Sequence, residues 1–332
     1  MSTPGALTST VGATVASYLA LKEALGRRYG VERGVLTHLD TFLTTTAADL
    51  TVDTFTQWCR TREHLRSGVR RNWMRVVRNL CLYRQRTEPS CFVPDASQFP
   101  ALHQAVRPHI FSEAEVTRLL AATDTLRPGS GSPLRRENFR LAIVLLYTTG
   151  LRRGELVRLT IGDYDPNECT LLVRESKFHK SRLLPLSRDG VEAVQHLLDV
   201  RRERGLPTGA DTPLLWNHCG GPRAYSGGGF GTAVRILLRV TGVRTAAGRN
   251  PRVHDFRHTF AAHALLRWYQ AGDDVQAKLP RLAAYMGHVS IVSTAYYLQF
   301  LDQLAGCASE RFAQRYGAVI TPAVVGALKG DA

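Results

Sequence analysis

Between residues 11 and 86 the apolar side chains Val15, Tyr18 and Leu19, then Val35, Leu36, Leu39, Phe42 and Leu43, return every three or four positions. That is the period of a helix with one buried face, and it cannot place those residues on one side of a sheet. The first domain, residues 1–88, is therefore expected to be all helix. A poorly periodic stretch from Pro89 to Pro108 breaks the pattern and reads as part of an interdomain linker, 89–110. The second domain, 111–332, opens on a helix start, with Ser112 as N-cap and Glu115 three residues later, followed by Val116, Leu119 and Leu120. The apolar run ENFRLAIVLLYTTG, 137–150, is a further helix. One β episode interrupts: Thr170 to Val173 and Arg182 to Leu186 flank a polar turn at 175–181. From His254 onward the period is helical again. The fold class is mainly α with a small antiparallel sheet in the second domain. Glycines 227, 228, 229 and 231 follow no strand in this reading, so a phosphate-cradling loop is not expected there.

With 332 residues, 44% of them hydrophobic, the chain is too apolar for disorder and long enough for two cored domains. Its formal charge of +15 calls for a polyanionic partner, nucleic acid before an acidic membrane surface. Basic residues concentrate on the helix from Ser67 to Arg86, where Arg70, Arg71, Arg75 and Arg78 surround an apolar stripe and no acid occurs from Ser67 to Thr87. A merely solvated face would mix signs, so this helix is expected to face phosphates. No apolar run reaches the roughly 20 residues of a membrane span. The first residues lack the basic-then-apolar pattern of an export signal, and the six cysteines form no CxxC pair. A cytoplasmic protein with reduced thiols is the expectation.

Four segments carry chemistry. Thr149 to Leu156, TGLRRGEL, is a helix end, a glycine turn and a new helix start, with Arg152 near free backbone N–H groups. Ser176 to Arg182, SKFHKSR, holds Lys177 and Lys180, two of only five lysines in the chain, in the turn between the two strands. Lys180 and Arg182 are read as DNA contacts. In HDFRHTF, His254 and Arg257 share a helix face at i and i+3, within reach of one phosphate. His254 and His258 have a zinc-compatible i, i+4 spacing, but no intervening Glu or further ligand is indicated, and Arg257 would repel the ion. The fourth segment, MGHVSIVSTAYY, contains His288 and, nine residues on, Tyr297 beside Tyr296.

The order Arg, Lys, His-x-x-Arg, His, Tyr, with the phrases TGLRRGEL, HDFRHTF and MGHVSIVSTAYY, resembles the tyrosine recombinase or phage integrase family across essentially the whole chain. The run LPRLAAYMGHVSIVSTAYY looks more like integrases of transposons and other mobile elements than like chromosome-dimer resolvases. The resemblance implies a helical core-binding domain and a catalytic domain clamped around duplex DNA. It implies Arg152 and Arg257 as the arginine pair, Lys177 as the hairpin lysine, His254 and His288 as the two histidines, and Tyr297 as nucleophile. Arg153-Gly154 departs from the family, where a small apolar residue and Ser or Ala are common, and Gln299 replaces a frequent His. In this family an apolar tail like that from Phe312 to Leu328 docks on a neighbouring protomer; packing on its own domain is the alternative.

The chemistry of that set is coherent. Reversible strand breakage without ATP requires the phosphodiester energy to be stored, as a phosphotyrosine stores it. Two guanidinium groups can clamp the extra charge of a pentacoordinate phosphorus. Lys177 suits protonation of the departing 5′-oxygen, His254 acceptance of the Tyr297 proton, and His288 donation to the phosphate. These cations replace Mg²⁺, so no metal or other cofactor is expected. Strand exchange between two duplexes implies four protomers, with other recombinases of the same element as possible partners. A type IB topoisomerase-like relaxing enzyme and a DNA-binding regulator without catalysis are the alternatives.

Overall fold

The computed structural model describes residues 7–287 apart from 28, 102–106, 130, 175–180 and 218–222. The chain divides into two compact units, Met1–Val106 and Arg107–Ala332.

The first unit is built from α1 (Gly12–Ala24), α2 (Gly30–Thr46), α3 (Val52–Arg60) and α4 (Ser67–Arg84). Its core is the apolar stripe of the sequence: Val15, Tyr18 and Leu19 of α1 meet Val35, Leu36, Leu39 and Leu43 of α2 and Val76, Val77 and Leu80 of α4. Thr51 caps α3 reciprocally with Thr54. Buried Asp40 accepts the N–H groups of Thr8 and Ser9, tying the chain before α1 to α2. Cys81 is buried, and desolvation raises its thiol to about 12, which keeps it protonated. Part of the stretch read as linker belongs to this unit, because Phe99 is buried in its core and Phe92 and Val93 pack against it. Arg78 Nε donates to the Pro94 carbonyl at 3.1 Å and Arg71 Nη1 to that of Pro100 at 2.7 Å. Two of the four arginines expected on DNA are therefore engaged with backbone carbonyls, while Arg75 is exposed and Arg70 half-buried.

The second unit begins with α5 (Glu113–Asp124), whose Ser112–Glu115 capping box is as the sequence reads. The central α6 (Arg135–Thr149) has buried residues from Glu137 to Thr149, with α5, α8 (Arg188–Glu203) and α10 (Val253–Gln270) packed against it. After α6 come the one-turn α7 (Arg153–Leu156) and a three-stranded antiparallel sheet of β1 (Tyr164–Asp165), β2 (Thr170–Val173) and β3 (Arg182–Pro185). Register pairs Val173 with Arg182 and Leu171 with Leu184, which sends the buried Leu171, Val173 and Leu184 into the core. A pair of two-residue antiparallel strands, β4 (Trp216–Asn217) and β5 (Arg223–Ala224), precedes α9 (Gly227–Val240), and α11 (Val275–Met286) follows α10. The sequence reading missed this strand pair and β1. The glycines near 230 form the first turn of α9, capped by Ser226, whose side chain accepts from the Gly229 N–H.

Candidate active site

Two chain turns meet at one place. Helix α6 ends on Gly150 and α11 on Gly287, both left-handed, with φ of 63° and 67°. A β-carbon at either would collide, with Phe260 Cδ1 at 2.6 Å from position 150 and Arg182 Nη1 at 2.9 Å from position 287. The carbonyls left open at these helix ends carry the negative pole of the helix dipole, and arginines occupy them. Arg257, from the second turn of α10 and 1% exposed, donates Nη1 to Gly150 O at 2.7 Å and Nη2 to Met286 O at 2.5 Å. Arg152 donates Nη2 to Gly287 O at 2.9 Å. The two arginines expected as a pair thus converge on the Met286–Gly287 turn, directly before His288.

Glu155 organises one side of this cluster. It is 4% exposed and accepts from Arg152 Nη1 at 2.7 Å, from the Arg152 backbone N–H at 2.9 Å and from Arg182 Nη2 at 2.9 Å. Burial works to raise its pKa, yet the hydrogen bonds from Arg182 and the Arg152 backbone, with the charge of Arg182, hold it down at about 2. Arg182 Nε also donates to Tyr285 O at 2.8 Å. The guanidinium expected to contact DNA from the hairpin is therefore only 11% exposed and joins β3 to α7 and α11. Glu155 escaped the sequence reading; its position three residues after Arg152, a capping-box spacing, was the available signal.

His254 lies in the first turn of α10, in a cleft of about 540 Å³ lined also by Arg152, Arg153, Arg235 and Arg252. The residue is exposed. The protein atoms around it, and then the charges of Arg257 and Arg252, push its pKa below the usual 6.5. A neutral imidazole in a cationic cleft is suited to accepting a proton. The His258 ring lies edge-on to it at 4.8 Å and is pushed down to about 4 by burial and by His254. No group of three His, Cys, Asp or Glu able to hold a metal occurs among the described residues. No helix among them is long and apolar enough to cross a membrane. Lys177, Lys180, His288, Tyr297 and the apolar tail from Phe312 to Leu328 lie outside the described residues.

The sequence matches the Phage integrase family over residues 109–303. It is 32% identical over 310 residues to the integrase/recombinase y4rE of Sinorhizobium fredii, spanning 91% of this chain and 95% of that one. Over 197 residues it is 30% identical to tyrosine recombinase XerD of Rhizobium meliloti, 59% of this chain and 58% of that one. Among solved structures, the Tn1549 transposon integrase in complex with transposon right end DNA shares the fold with a TM-score of 0.59, at 18% identity over 92% of this chain and 99% of that chain. Lambda integrase bound to DNA gives 0.56, at 15% identity over 80% and 90%.

Proposed function

Because this chain belongs to the phage integrase family, as a tyrosine-type site-specific DNA recombinase, we propose that it exchanges strands through a 3′-phosphotyrosine on Tyr297. The observation that carries this reading is the convergence of Arg152 and Arg257 on the turn before His288, with His254 in the adjoining cleft. Tyr297 Oη attacks the scissile phosphorus while the bond to the 5′-oxygen breaks. His254 takes the phenolic proton and Lys177 gives one to the departing oxygen. Arg152, Arg257 and His288 hold the non-bridging oxygens, whose charge needs no metal ion. Return attack by a different 5′-hydroxyl completes the exchange and frees the tyrosine.

Duplex DNA is the substrate, in keeping with neighbours solved on DNA and with the +15 charge. Arg70 and Arg75 of α4, whose guanidiniums are not taken up by the Pro94 and Pro100 carbonyls that hold Arg78 and Arg71, and Lys180 add backbone contacts. The exchange takes place in the cytoplasm, on DNA of a mobile element, in a synapse of four protomers. The full-length likeness to integrase/recombinases favours strand exchange over a relaxing enzyme or a regulator.

Covalent capture tests the reading. On a nicked suicide substrate the 5′-end diffuses away, and the protein should remain attached to DNA in denaturant. Tyr297→Phe should abolish the adduct; if Tyr296→Phe abolishes it instead, the nucleophile is the neighbouring tyrosine.

A further inference from the structure

Two oddities of the sequence meet in the structure. Arg153 stands where the family commonly has a small apolar residue, and α9 begins with Gly227-Gly228-Gly229-Phe230-Gly231, an unfavourable composition for a helix. The guanidinium of Arg153 lies across Gly227 and Gly231, four residues apart on one face of α9. A β-carbon on Gly231 would sit 2.8 Å from Arg153 Nη1 and 3.6 Å from its Cδ; one on Gly227 would sit 3.6 Å from Nε. The glycines are the groove in which this side chain lies. Arg235, four residues beyond Gly231, lines the same cleft.

The charges of this cleft are unequally balanced. Arg152 is paired with Glu155 and Arg252 with Asp255. Arg153 and Arg235 are exposed, and neither has a hydrogen-bonding or ion-pair partner among the described residues. Two uncompensated guanidiniums beside the paired Arg152 call for an anion, and base edges carry no charge to meet them. We propose that Arg153 and Arg235 form a second anion subsite that holds a non-scissile phosphate of the DNA backbone next to the one gripped by Arg152 and Arg257. The subsite rests on the strand-exchange reading. It supplies affinity and register and takes no part in the chemistry.

The test is a salt titration of binding to a fluorescein-labelled duplex of arbitrary sequence, read by anisotropy. Each lost phosphate contact lowers the slope of log K against log salt by about 0.9, so Arg153→Ala should lose about one such step and the Arg153→Ala, Arg235→Ala pair about two. Gly231→Ala keeps every charge but crowds the guanidinium. It should weaken binding in the wild-type background and add little to Arg153→Ala, with thermal melting unchanged between the two backgrounds. Single-turnover cleavage at saturating protein, on a site selected from a random pool, should stay within about threefold of wild type in Arg153→Ala. An unchanged slope overturns the subsite. So does a loss confined to the selected site, which would mean base reading, or a hundredfold fall in saturated cleavage, which would mean a catalytic role. The Tyr297 adduct reports on the parent reading separately: an adduct from a protein whose slope is indifferent to Arg153 removes the subsite and leaves strand exchange standing.

Discussion

Arg152 and Glu155 meet within one turn of chain, Nη1 to Oε1 at 2.7 Å, and the same carboxylate takes Arg182 at 2.9 Å from β3. Arg152 is thereby held from two directions, by a buried anion and by the Gly287 carbonyl. Its rotamer is fixed before DNA arrives, and a preorganised cation costs little reorganisation when the phosphorane forms. In the proposed mechanism Glu155 positions this group and takes no part in the chemistry itself.

Removing the charge at Glu155 should therefore harm both fold and rate. Its carboxyl titrates at about 2 in the folded protein against an ordinary 4.5. The contribution is complete above about pH 4.5 and disappears as pH falls toward 2, and the shift corresponds to roughly 3 kcal/mol. Glu155→Gln should lower stability at pH 7 by that order, and the gap from wild type should narrow at pH 3, measured by urea unfolding. Saturated cleavage should fall about a hundredfold from misplaced Arg152, with DNA binding retained. A constant gap across pH would mean that packing, and not charge, is what Glu155 supplies.

Gly150→Ala examines the turn that receives Arg257. The residue is left-handed, and an added β-carbon would lie 2.6 Å from Phe260 Cδ1. Backbone strain and the clash together should cost about 2 kcal/mol or more. Because Gly150 O accepts Arg257 Nη1, cleavage should fall further than the melting temperature explains. Full cleavage at a temperature where the variant is folded would show that the carbonyl's placement is dispensable.

The legible parts of this molecule were local ones. Ser112 and Glu115 lie three residues apart, and the strands at 170–173 and 182–185 announce themselves by composition around a polar turn. Arg152, His254 and Arg257 were visible from their motifs, but the groups that hold them were not. Arg257 reaches carbonyls 107 and 29 residues away, and Arg182 finds Glu155 across 27. Nothing in a periodicity reports such pairs. Helix α9 was hidden by its glycines, whose reason is a side chain 74 residues earlier. The basic face of α4 could be read from sequence, whereas the carbonyls of Pro94 and Pro100 that occupy Arg78 and Arg71 could not.

The lowered pKa of His254 bears on the pH dependence of cleavage. A proton acceptor must be neutral, and crowding by protein atoms with the charges of Arg257 and Arg252 keeps it so below the usual 6.5. The acid limb of the single-turnover rate should lie below pH 6.5 and vanish in a variant that removes the imidazole, His254→Asn. An acid limb above 6.5 that survives this substitution would assign the base elsewhere.

Cleavage should withstand excess EDTA, since in the proposed mechanism Arg152, Arg257, Lys177 and the histidines provide the charge that a metal would. His254 and His258 lie edge-on at 4.8 Å, and no third ligand joins them among the described residues. A strict requirement for Mg²⁺ or Zn²⁺ would sink the mechanism and return attention to this pair.

Lys177 is tested by its leaving group. Lys180 lies three residues on in the sequence, so charge alone does not separate the two. If Lys177 protonates the departing 5′-oxygen, Lys177→Ala should slow cleavage of normal DNA severely, by the hundredfold to ten-thousandfold typical of a lost general acid. A substrate with sulfur at the bridging 5′ position needs no such proton, because a thiolate leaves unaided. On it Lys177→Ala should cleave at close to the wild-type rate, while Arg257→Ala, which acts on the non-bridging oxygens, should stay slow. Rescue of Lys180→Ala in its place would exchange the two lysines. Rescue of neither would reduce the hairpin to a DNA contact and make His254 the next candidate for the proton.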